Sequence, residues 1–505
     1  MTRTTRTPLA LLLVAVLAIS ASLAALTTTP AQAADVAARK KPAPVSAVTL
    51  GDARISGSKA NVPLSWRKAA GAKTYQVLWA PTRTMKKARS TTVRKRSATV
   101  RGLAVGKTWC FQVRGVAGKK KGKRSAPVCL RVAKPGQSTS PWVKAATITG
   151  SGTSARTQLT VAWRATAGAR AYELDYAITP EPVTKYPLWE NKARRTARSS
   201  TNQVVLPGLT PGKIYCFQVR AITSGGTSDR SPTHCKYTMT PDRRKPSTSQ
   251  ELDLATWNIC ASPVACRTHP FDRRVSAIAD RIKKANVDVA ALQETPPAAA
   301  SDLARLLPGY ELACSAAAEV VFVRTYRYTV VDSSDTTGGP RTNPGACWAE
   351  VEPANGGANV VIVSLHLKPG PTAADDRDRR AQASTLVNWI RTRFPSTPLV
   401  LAGDTNSNRG HDLDGPRLVW EPAGLMDAYD IAGAFLSQPS LNSMNNWETT
   451  PKESTRWGAH IDRVFSSAGI HVASWKIDEP ISNGRYTDLL SDHSLVRTEL
   501  EIPVR

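Results

Sequence analysis

The stretch "PLVLAGDTNSN", residues 398–408, passes from an apolar run directly into a carboxylate and a carboxamide. The run ending at Ala402 is typical of a buried β-strand, and Asp404 and Asn406 follow it at once. Taken alone, the stretch also fits a simple turn, because Gly, Asp, Asn and Ser are all turn formers. Whether other strands of the chain end in the same way decides between the two interpretations.

Five further apolar segments between residues 252 and 496 carry polar side chains at or near one end. They are 252–258 with Asn258, 287–294 with Glu294, 359–367 with His366, 460–465 with Asp462, and 491–496 with Asp492 and His493. Helical patterns at 272–286 and 378–394 lie between them. Mixed strands and helices over 255 residues predict one sizeable α/β unit. Six polar ends predict one site at the edge of a sheet.

The polar set predicts phosphoester hydrolysis. Carboxylates such as Glu294, Asp404 and Asp492 supply the oxygen ligands that hard divalent cations prefer. An imidazole transfers protons near neutral pH when a carboxylate fixes its tautomer. The chain has no thiolate-histidine cluster at zinc spacing and no Gly-x-Ser-x-Gly motif. Hydrolysis by an activated water is therefore favoured over a covalent intermediate.

The front half contains an internal repeat. "VPLSWRKAAGAKTYQVLW" (62–79) matches "LTVAWRATAGARAYELDY" (159–176), and "GLAVGKTWCFQVRGVAG" (102–118) matches "GLTPGKIYCFQVRAITS" (208–224). Alternating apolar and polar residues between Gly/Pro turns predict two antiparallel β-sandwiches. Trp66 and Trp163 are expected in their cores. The second copy is nine residues longer, and we expect the insertion within 178–192.

The eight cysteines and the N-terminus predict an exported protein. Cys110 and Cys129 are 19 residues apart, as are Cys216 and Cys235, so one disulfide is expected in each repeat. Cys260–Cys266 and Cys314–Cys347 are the expected remaining pairs, although the sequence leaves other pairings open. Arg3 and Arg6, an apolar run from residue 9 to 26 and Ala31-Gln32-Ala33 fit a cleaved signal peptide. An uncleaved anchor is the weaker alternative.

The charge lies almost entirely in the front half. Residues 251–505 hold 25 Lys+Arg and 31 Asp+Glu, and residues 1–250 hold 43 and 8, which gives −6 and +35. The alternative explanation is solubility alone. A basic field of this density is more typical of polyanion binding, to nucleic acid, anionic wall polymer or lipid head groups.

Two resemblances follow from these motifs. The repeats resemble fibronectin type III domains, with Tyr215 at the position of the family's corner tyrosine and Trp109 replacing it in the first copy. Residues 251–505 resemble the endonuclease/exonuclease/phosphatase superfamily, deoxyribonuclease I-like enzymes among them. The motifs that carry this resemblance are Trp257-Asn258, Gln293-Glu294, Ser364-Leu365-His366, Gly403-Asp404-Thr405-Asn406, Ile461-Asp462-Arg463 and Ser491-Asp492-His493.

The second resemblance implies a role for each site residue. Glu294, with Asn258 and Asp492 nearby, would bind Mg²⁺, or Mn²⁺ or Ca²⁺ in its place. Asp404 would orient or deprotonate the attacking water, and Asn406 would hold the water and the phosphate. His493, oriented by Asp462, would stabilise or protonate at the scissile phosphate. His366 would act on the other side, paired with Glu319 as in the deoxyribonuclease branch.

The predicted architecture is multidomain: two all-β fibronectin type III-like sandwiches, then an α/β four-layer sandwich of two packed mixed sheets flanked by helices. The predicted segments are a signal peptide (1–33), a basic linker (34–43), the first sandwich (44–135), a linker (136–143), the second sandwich (144–240), a linker (241–250) and the catalytic domain (251–505).

The predicted protein is a secreted monomeric nuclease that acts on DNA or RNA, with basic modules that hold it to polyanions such as a cell-surface polymer. Three alternatives stay open. The chain would be a phospholipase C or sphingomyelinase-like enzyme, a small-molecule phosphatase, or a non-catalytic adhesin.

Overall fold

The computed structural model describes residues 41–56, 58–132, 136, 138–179, 193–264, 266–334, 346–409, 414–436, 439–454 and 459–504. The predicted signal peptide and nearly all of the insertion expected within 178–192 lie outside these residues. Among the described residues the protein is mostly β with few helices. No helix among them is both long and apolar enough to cross a membrane.

The first repeat forms short antiparallel strands. Their bounds are β1 (Thr49–Leu50), β2 (Arg54–Ser56), β3 (Lys59–Ser65), β4 (Thr74–Ala80), β5 (Arg89–Val93), β6 (Ser97–Ala104), β7 (Lys107–Ala117), β8 (Lys120–Lys121) and β9 (Val128–Val132). Strand β4 pairs with β5 and β7, and β7 pairs with β8 and β9. Trp66 is 5% exposed and contacts the Tyr75 ring, as expected of a core tryptophan.

The second repeat reproduces this pairing order. Its strands are β10 (Trp142–Thr149), β11 (Arg156–Ala162), β12 (Ala169–Ile178), β13 (Arg195–Ser199), β14 (Gln203–Leu209), β15 (Ile214–Thr223), β16 (Gly226–Thr227) and β17 (His234–Tyr237). Strand β12 pairs with β13 and β15, and β15 pairs with β16 and β17. Trp163 is fully buried against Tyr172. The Tyr215 hydroxyl accepts a hydrogen bond from the Thr210 amide at 3.1 Å, as a corner tyrosine does.

All four expected disulfides are present: Cys110–Cys129, Cys216–Cys235, Cys260–Cys266 and Cys314–Cys347. The first two join neighbouring strands of each repeat, β7 to β9 and β15 to β17. The pairing that the sequence alone left open is thereby confirmed.

The remaining strands belong to the α/β part of the chain. They are β18 (Ser249–Asn258), β19 (Val289–Gln293), β20 (Tyr310–Ala316), β21 (Glu319–Arg324), β22 (Tyr328–Ser333), β23 (Ala346–Pro353), β24 (Val360–His366), β25 (Leu399–Asp404), β26 (Leu425–Asp427), β27 (Ala434–Phe435), β28 (Asp462–Ser467), β29 (His471–Ile477), β30 (Ile481–Ser482), β31 (Arg485–Tyr486) and β32 (Val496–Pro503). The last long strand begins at Val496, so Asp492 and His493 precede it instead of opening it.

Two sheets contain most of these strands. One has the order β27-β29-β32-β18-β19-β21-β20, and the other has the order β22-β23-β24-β25-β28-β26. Their facing sides share one apolar core, in which Leu254 and Ala291 of the first sheet cluster with Ile362 and Val400 of the second. This packing brings the ends of strands from both sheets to a common edge.

Helices cover the outer sides. The helices are α1 (Val275–Ala285), α2 (Pro297–Leu306), α3 (Ala373–Arg393), α4 (Gly415–Trp420) and α5 (Ala428–Ile431). Ile278 and Ile282 of α1 pack with Leu303 of α2 over the first sheet. Leu386 and Ile390 of α3 pack over the second sheet. The α1 and α3 patterns were predicted at 272–286 and 378–394, and the real α3 begins five residues earlier.

The second repeat is joined to the α/β part by shared structure. Strands β14, β11 and β10 continue the first sheet through β27, where Ala145 pairs with Ala434. Within the segment predicted as a polar linker, 241–250, most residues are exposed, but one of them is buried. Arg243 is 1% exposed and donates to the carbonyls of Ser466, Ser467 and Gly424, and β18 already begins at Ser249. The burial of Arg243 was not predicted, because an arginine that binds backbone carbonyls cannot be distinguished from an exposed one in the sequence pattern.

Candidate active site

Three adjacent strands of the second sheet deliver the first group of site residues. In the pairing register His366 lies opposite Asp404, and Asp404 lies opposite Asp462. Gly403 makes this register possible, because a Cβ at that position would collide with the Leu365 carbonyl. The glycine that made residues 398–408 resemble a turn is therefore a requirement of close strand packing.

Two parallel strands of the first sheet deliver the second group. Asn258 ends β18 opposite Gln293, the last residue of β19, and Glu294 follows it. Glu294 has φ 52°, a left-handed conformation that is uncommon for a glutamate. Such an outlier is typical of functional sites, where the surrounding structure holds the backbone in place.

Asp404 lies at the centre of the assembled site and is 1% exposed. Its Oδ2 accepts from Asn258 Nδ2 at 3.3 Å and lies 3.5 Å from His366 Nε2 and 3.8 Å from His493 Nε2. Asn258 Nδ2 also donates to Glu294 Oε1 at 2.9 Å. Residues from both sheets thus contact one carboxylate, as the six polar ends predict.

His493 is held by a carboxylate. Its Nδ1 lies 3.0 Å from both oxygens of Asp462, which leaves Nε2 directed toward Asp404. Burial lowers the pKa of the His493 imidazole, but the negative charges of Asp462 and Asp404 raise it more, to about 10. His493 is therefore a cation at neutral pH and is suited to stabilise negative charge or to donate a proton.

His366 has Asn406 as its hydrogen-bond partner. Asn406 Nδ2 lies 3.1 Å from His366 Nε2 and donates to the Leu367 carbonyl at 3.0 Å. The backbone amide of Asn406 donates to Asp404 Oδ1 at 2.8 Å, which fixes the aspartate rotamer.

Among the described residues, Glu319 and His366 share no hydrogen bond or ion pair, so the structure does not show their predicted pairing. Glu319 is 2% exposed and accepts a bond from the Ala318 amide at 3.3 Å. Burial raises the pKa of the Glu319 carboxyl to about 8, the Ala318 amide opposes this, and Glu294 adds to it. Glu319 therefore lies on the Glu294 side of the site. The sequence shows that Glu319 begins a strand, but it does not show which residue on a neighbouring strand Glu319 faces.

Asp492 lies on a loop beside the site. Its Oδ1 accepts from the Ser491 hydroxyl at 3.2 Å, and its carbonyl accepts from the amides of Asn445 and Asn446. Arg274 ties this loop to the end of β18, since it donates to the carbonyls of Ile259, Cys260 and Leu490.

Several contributors were not predicted as site residues. The Ser443 hydroxyl accepts from the amides of Ile461 and Asp462 at 2.9 and 3.1 Å, and so positions the start of β28. Trp257 Nε1 donates to the His493 carbonyl at 3.0 Å. Trp447 stacks on His269 with ring centroids 3.8 Å apart and also contacts Arg274. Ser443 and Trp447 come from an irregular segment, which periodicity cannot place.

The residues present fit a divalent cation. Glu294 Oε2 is buried and has no hydrogen-bond partner among the described residues, as a ligand atom would be. Asp404, Asp462 and His493 also present ligand atoms within 4.8 Å of one another. His493 already binds Asp462 there, so Glu294 is the better ligand. Cys260 and Cys266 also lie near Glu294, but they form a disulfide and are not ligands.

Replacing Asp462 with asparagine is expected to shift the alkaline limb of the kcat–pH profile to lower pH. His493 acts while protonated, so activity should fall as pH rises through its pKa, and the Asp462 charge is what raises that pKa. The measurement is kcat from pH 6 to 11 on a phosphodiester. Asp378→Asn, an exposed position on α3, is the control. An unchanged alkaline limb would refute the role of Asp462.

Comparison with known proteins identifies the class. Residues 255–493 match the model of the Endonuclease/Exonuclease/phosphatase family, and residues 146–234 match the Fibronectin type III domain. The chain is 40% identical over 68 residues to ephrin type-B receptor 1 of Gallus gallus, a match covering 14% of this chain. The chain thus spans only 7% of the length of that curated relative.

Solved structures similar to the chain include an endonuclease/exonuclease/phosphatase family protein from Bacteroides thetaiotaomicron, with 21% identity, 51% of this chain and 100% of that chain covered, and TM-score 0.41. A mannosyl-6-phosphatase from the same species has 20% identity, 49% and 99% coverage, and TM-score 0.41. TDP2 of D. rerio with a single-strand DNA product has 18% identity, 50% and 99% coverage, and TM-score 0.37.

The chain is therefore a multidomain protein with an enzyme-type α/β domain behind fibronectin-type modules. That α/β domain belongs to the endonuclease/exonuclease/phosphatase family. The family's name joins three kinds of phosphoester hydrolase, so a hydrolytic phosphoesterase fits this chain.

Proposed function

We propose that the chain is a secreted, divalent-metal-dependent phosphodiesterase that hydrolyses DNA or RNA with an activated water. The observation that carries the proposal is the position of Asp404, whose Oδ2 lies 3.5 Å from His366 Nε2 on one side and 3.8 Å from Nε2 of the cationic His493 on the other. A base beside a cation is the pair that attack of water on a phosphodiester needs.

The residues divide the work as follows. Asp404 accepts the proton of the attacking water, with its rotamer fixed by the amide of Asn406. His366 and Asn406 bind and orient the water and a phosphoryl oxygen. His493, held by Asp462, stabilises the charge that develops on the phosphoryl group and protonates the leaving oxygen from Nε2.

A divalent cation would be held by Glu294, with Asn258 and Asp492 nearby. Its chemistry there is to neutralise phosphate charge and polarise the phosphoester bond. Asn258 meanwhile binds both Glu294 and Asp404 through Nδ2, so it sets the spacing of the two carboxylates.

The basic front half would concentrate a polyanionic substrate. The hairpin at 118–124 exposes Lys119, Lys121 and Lys123. Lysines that contact phosphates release counterions, so binding weakens steeply as salt rises. A long nucleic acid offers many phosphates to such lysines, whereas a small phosphate ester offers one.

A substrate panel with the full chain tests the proposal. Plasmid DNA, RNA, phosphocholine-containing liposomes and small phosphomonoesters are incubated with Mg²⁺, Mn²⁺ or Ca²⁺. We expect cleavage of nucleic acid with a steep salt dependence. Release of phosphocholine or of inorganic phosphate alone would assign the chain to the lipid or small-molecule branch. No cleavage of any of them would favour a non-catalytic adhesin.

Charge reversal in the basic hairpin tests whether these lysines bind the polyanionic substrate. Lys119→Glu, Lys121→Glu and Lys123→Glu together are expected to reduce the salt slope of cleavage by about one for each lysine that binds a phosphate in the wild type. Lys283→Glu with Lys284→Glu, exposed lysines at the end of α1, is the control. An equal salt slope of cleavage in the two variants would contradict substrate binding by the hairpin lysines. The catalytic proposal would not be affected.

A further inference from the structure

The second fibronectin module inserts a lysine into the α/β domain. Lys236, on β17, is 1% exposed. Its Nζ donates to the Tyr429 carbonyl at 2.8 Å and to the Asp430 carbonyl, and it lies 4.9 Å from the Phe435 ring centre. Tyr429 and Asp430 belong to α5 (Ala428–Ile431). The carbonyls at a helix end have no partner within the helix, so Lys236 supplies one from another module.

Helix α5 holds two arginines of the catalytic domain. Asp427 caps the helix, with Oδ1 accepting from the Tyr429 amide at 3.0 Å, and its Oδ2 accepts from Arg463 Nε at 2.7 Å. Asp430, inside the helix, pairs with Arg409. Asp427, Asp430 and Arg463 are all nearly inaccessible to solvent.

Both arginines lie next to the catalytic machinery. Arg463 directly follows Asp462, the carboxylate that holds His493. Arg463 also pairs with Asp414 at 2.9 Å, and Asp414 accepts from the Ser407 hydroxyl at 2.9 Å. Arg409 ends the run 404–409 that begins with Asp404 and includes Asn406. Buried ion pairs therefore connect α5 to the Asp462 side of the site through Arg463 and to the Asp404 side through Arg409.

We propose that Lys236 of the second fibronectin module is a positioning residue for the proposed phosphodiesterase reaction. It fixes α5, and α5 fixes the start of β28 and the loop 404–409 through Arg463 and Arg409. The second fibronectin module is then a structural part of the active site, whereas the sequence predicted only that the modules hold the protein to polyanions. The inference rests on the proposed function for its kinetic consequence.

Lys236→Met in the full chain tests this inference. Methionine fills the space but donates no hydrogen bond, so two buried carbonyls lose their partner. We expect kcat on bis(p-nitrophenyl) phosphate to fall about 10-fold or more, since small displacements of catalytic groups cost rates of this order. KM should change little, and Lys236→Arg should restore part of kcat. Lys213→Met, an exposed lysine of the same module, is the control.

Hydrogen exchange of the loop 404–409 provides a readout that needs no activity. The amides of residues 404–409 should exchange faster in the Lys236→Met variant than in the Lys213→Met variant. A folded Lys236→Met with control-like kcat and loop exchange would overturn the inference. If Lys236→Met does not fold, Asp430→Asn is used instead, because it removes the ion pair between α5 and Arg409. Unchanged kcat and unchanged loop exchange in Asp430→Asn would also overturn the inference. If the full chain cleaves no phosphodiester, the proposed function fails, while exchange still decides the positioning role.

Discussion

Replacing Asp404 with asparagine is expected to lower kcat for phosphodiester cleavage by about 10²–10⁴-fold, the usual contribution of a general base. Asparagine keeps the size of the side chain and an oxygen for the Asn406 amide, but it cannot accept the proton of the attacking water. KM should change little because phosphate contacts remain. Initial rates over a range of substrate concentrations separate the two constants.

The control for this variant is Asp378→Asn, an exposed aspartate of α3. It removes the same charge from the same domain without touching the site. If Asp404→Asn kept wild-type kcat, another group would have to activate the water, and the central position of Asp404 would be a structural feature only.

Replacing Glu294 with glutamine is expected to weaken divalent-cation binding by at least about 10-fold and to lower activity in parallel. The buried Oε2, which has no hydrogen-bond partner among the described residues, is the atom assigned to the cation, and an amide removes the charge that binds it. Calorimetric titration with Mn²⁺ measures the affinity. Activity after chelation and stepwise return of Mg²⁺ measures the functional requirement.

Glu311→Gln is the matched control, since Glu311 is an exposed glutamate on β20. Equal Mn²⁺ affinity in the two variants would remove Glu294 from the metal site. The Asp404, Asp462 and His493 cluster would then be the alternative cation site.

Strand ends were the most predictable part of the site. Asn258, Glu294, His366 and Asp404 each end or follow an apolar segment, and Asp462 opens one. The structure brings them to one edge because parallel and antiparallel neighbours fix their register. Period-2 patterns predict such strands directly. The corner position of Tyr215 was predicted from the repeat, and its hydroxyl makes the expected hydrogen bond to the backbone.

Contacts between segments far apart in sequence were not predictable. Glu319 opens a strand as expected, but which neighbour it faces depends on how the strands assemble. The burial of Lys236 and Arg243 is invisible in a pattern, because lysine and arginine are exposed by default and bury only where carbonyls receive them. Ser443 supports Asp462 from a segment without periodicity. Domain boundaries, secretion and the ligand of the basic modules stay predictions.

The most direct measurement of the central claim is anomalous diffraction from crystals soaked in Mn²⁺. Polar groups from six separate segments are proposed to act around a single cation at the edge of two packed sheets. We predict one strong peak within coordination distance of Glu294 Oε2, with Asp404 and His493 facing it across a space for phosphate. A peak elsewhere, or bound only to Asp462 and His493 with Glu294 uninvolved, would contradict it.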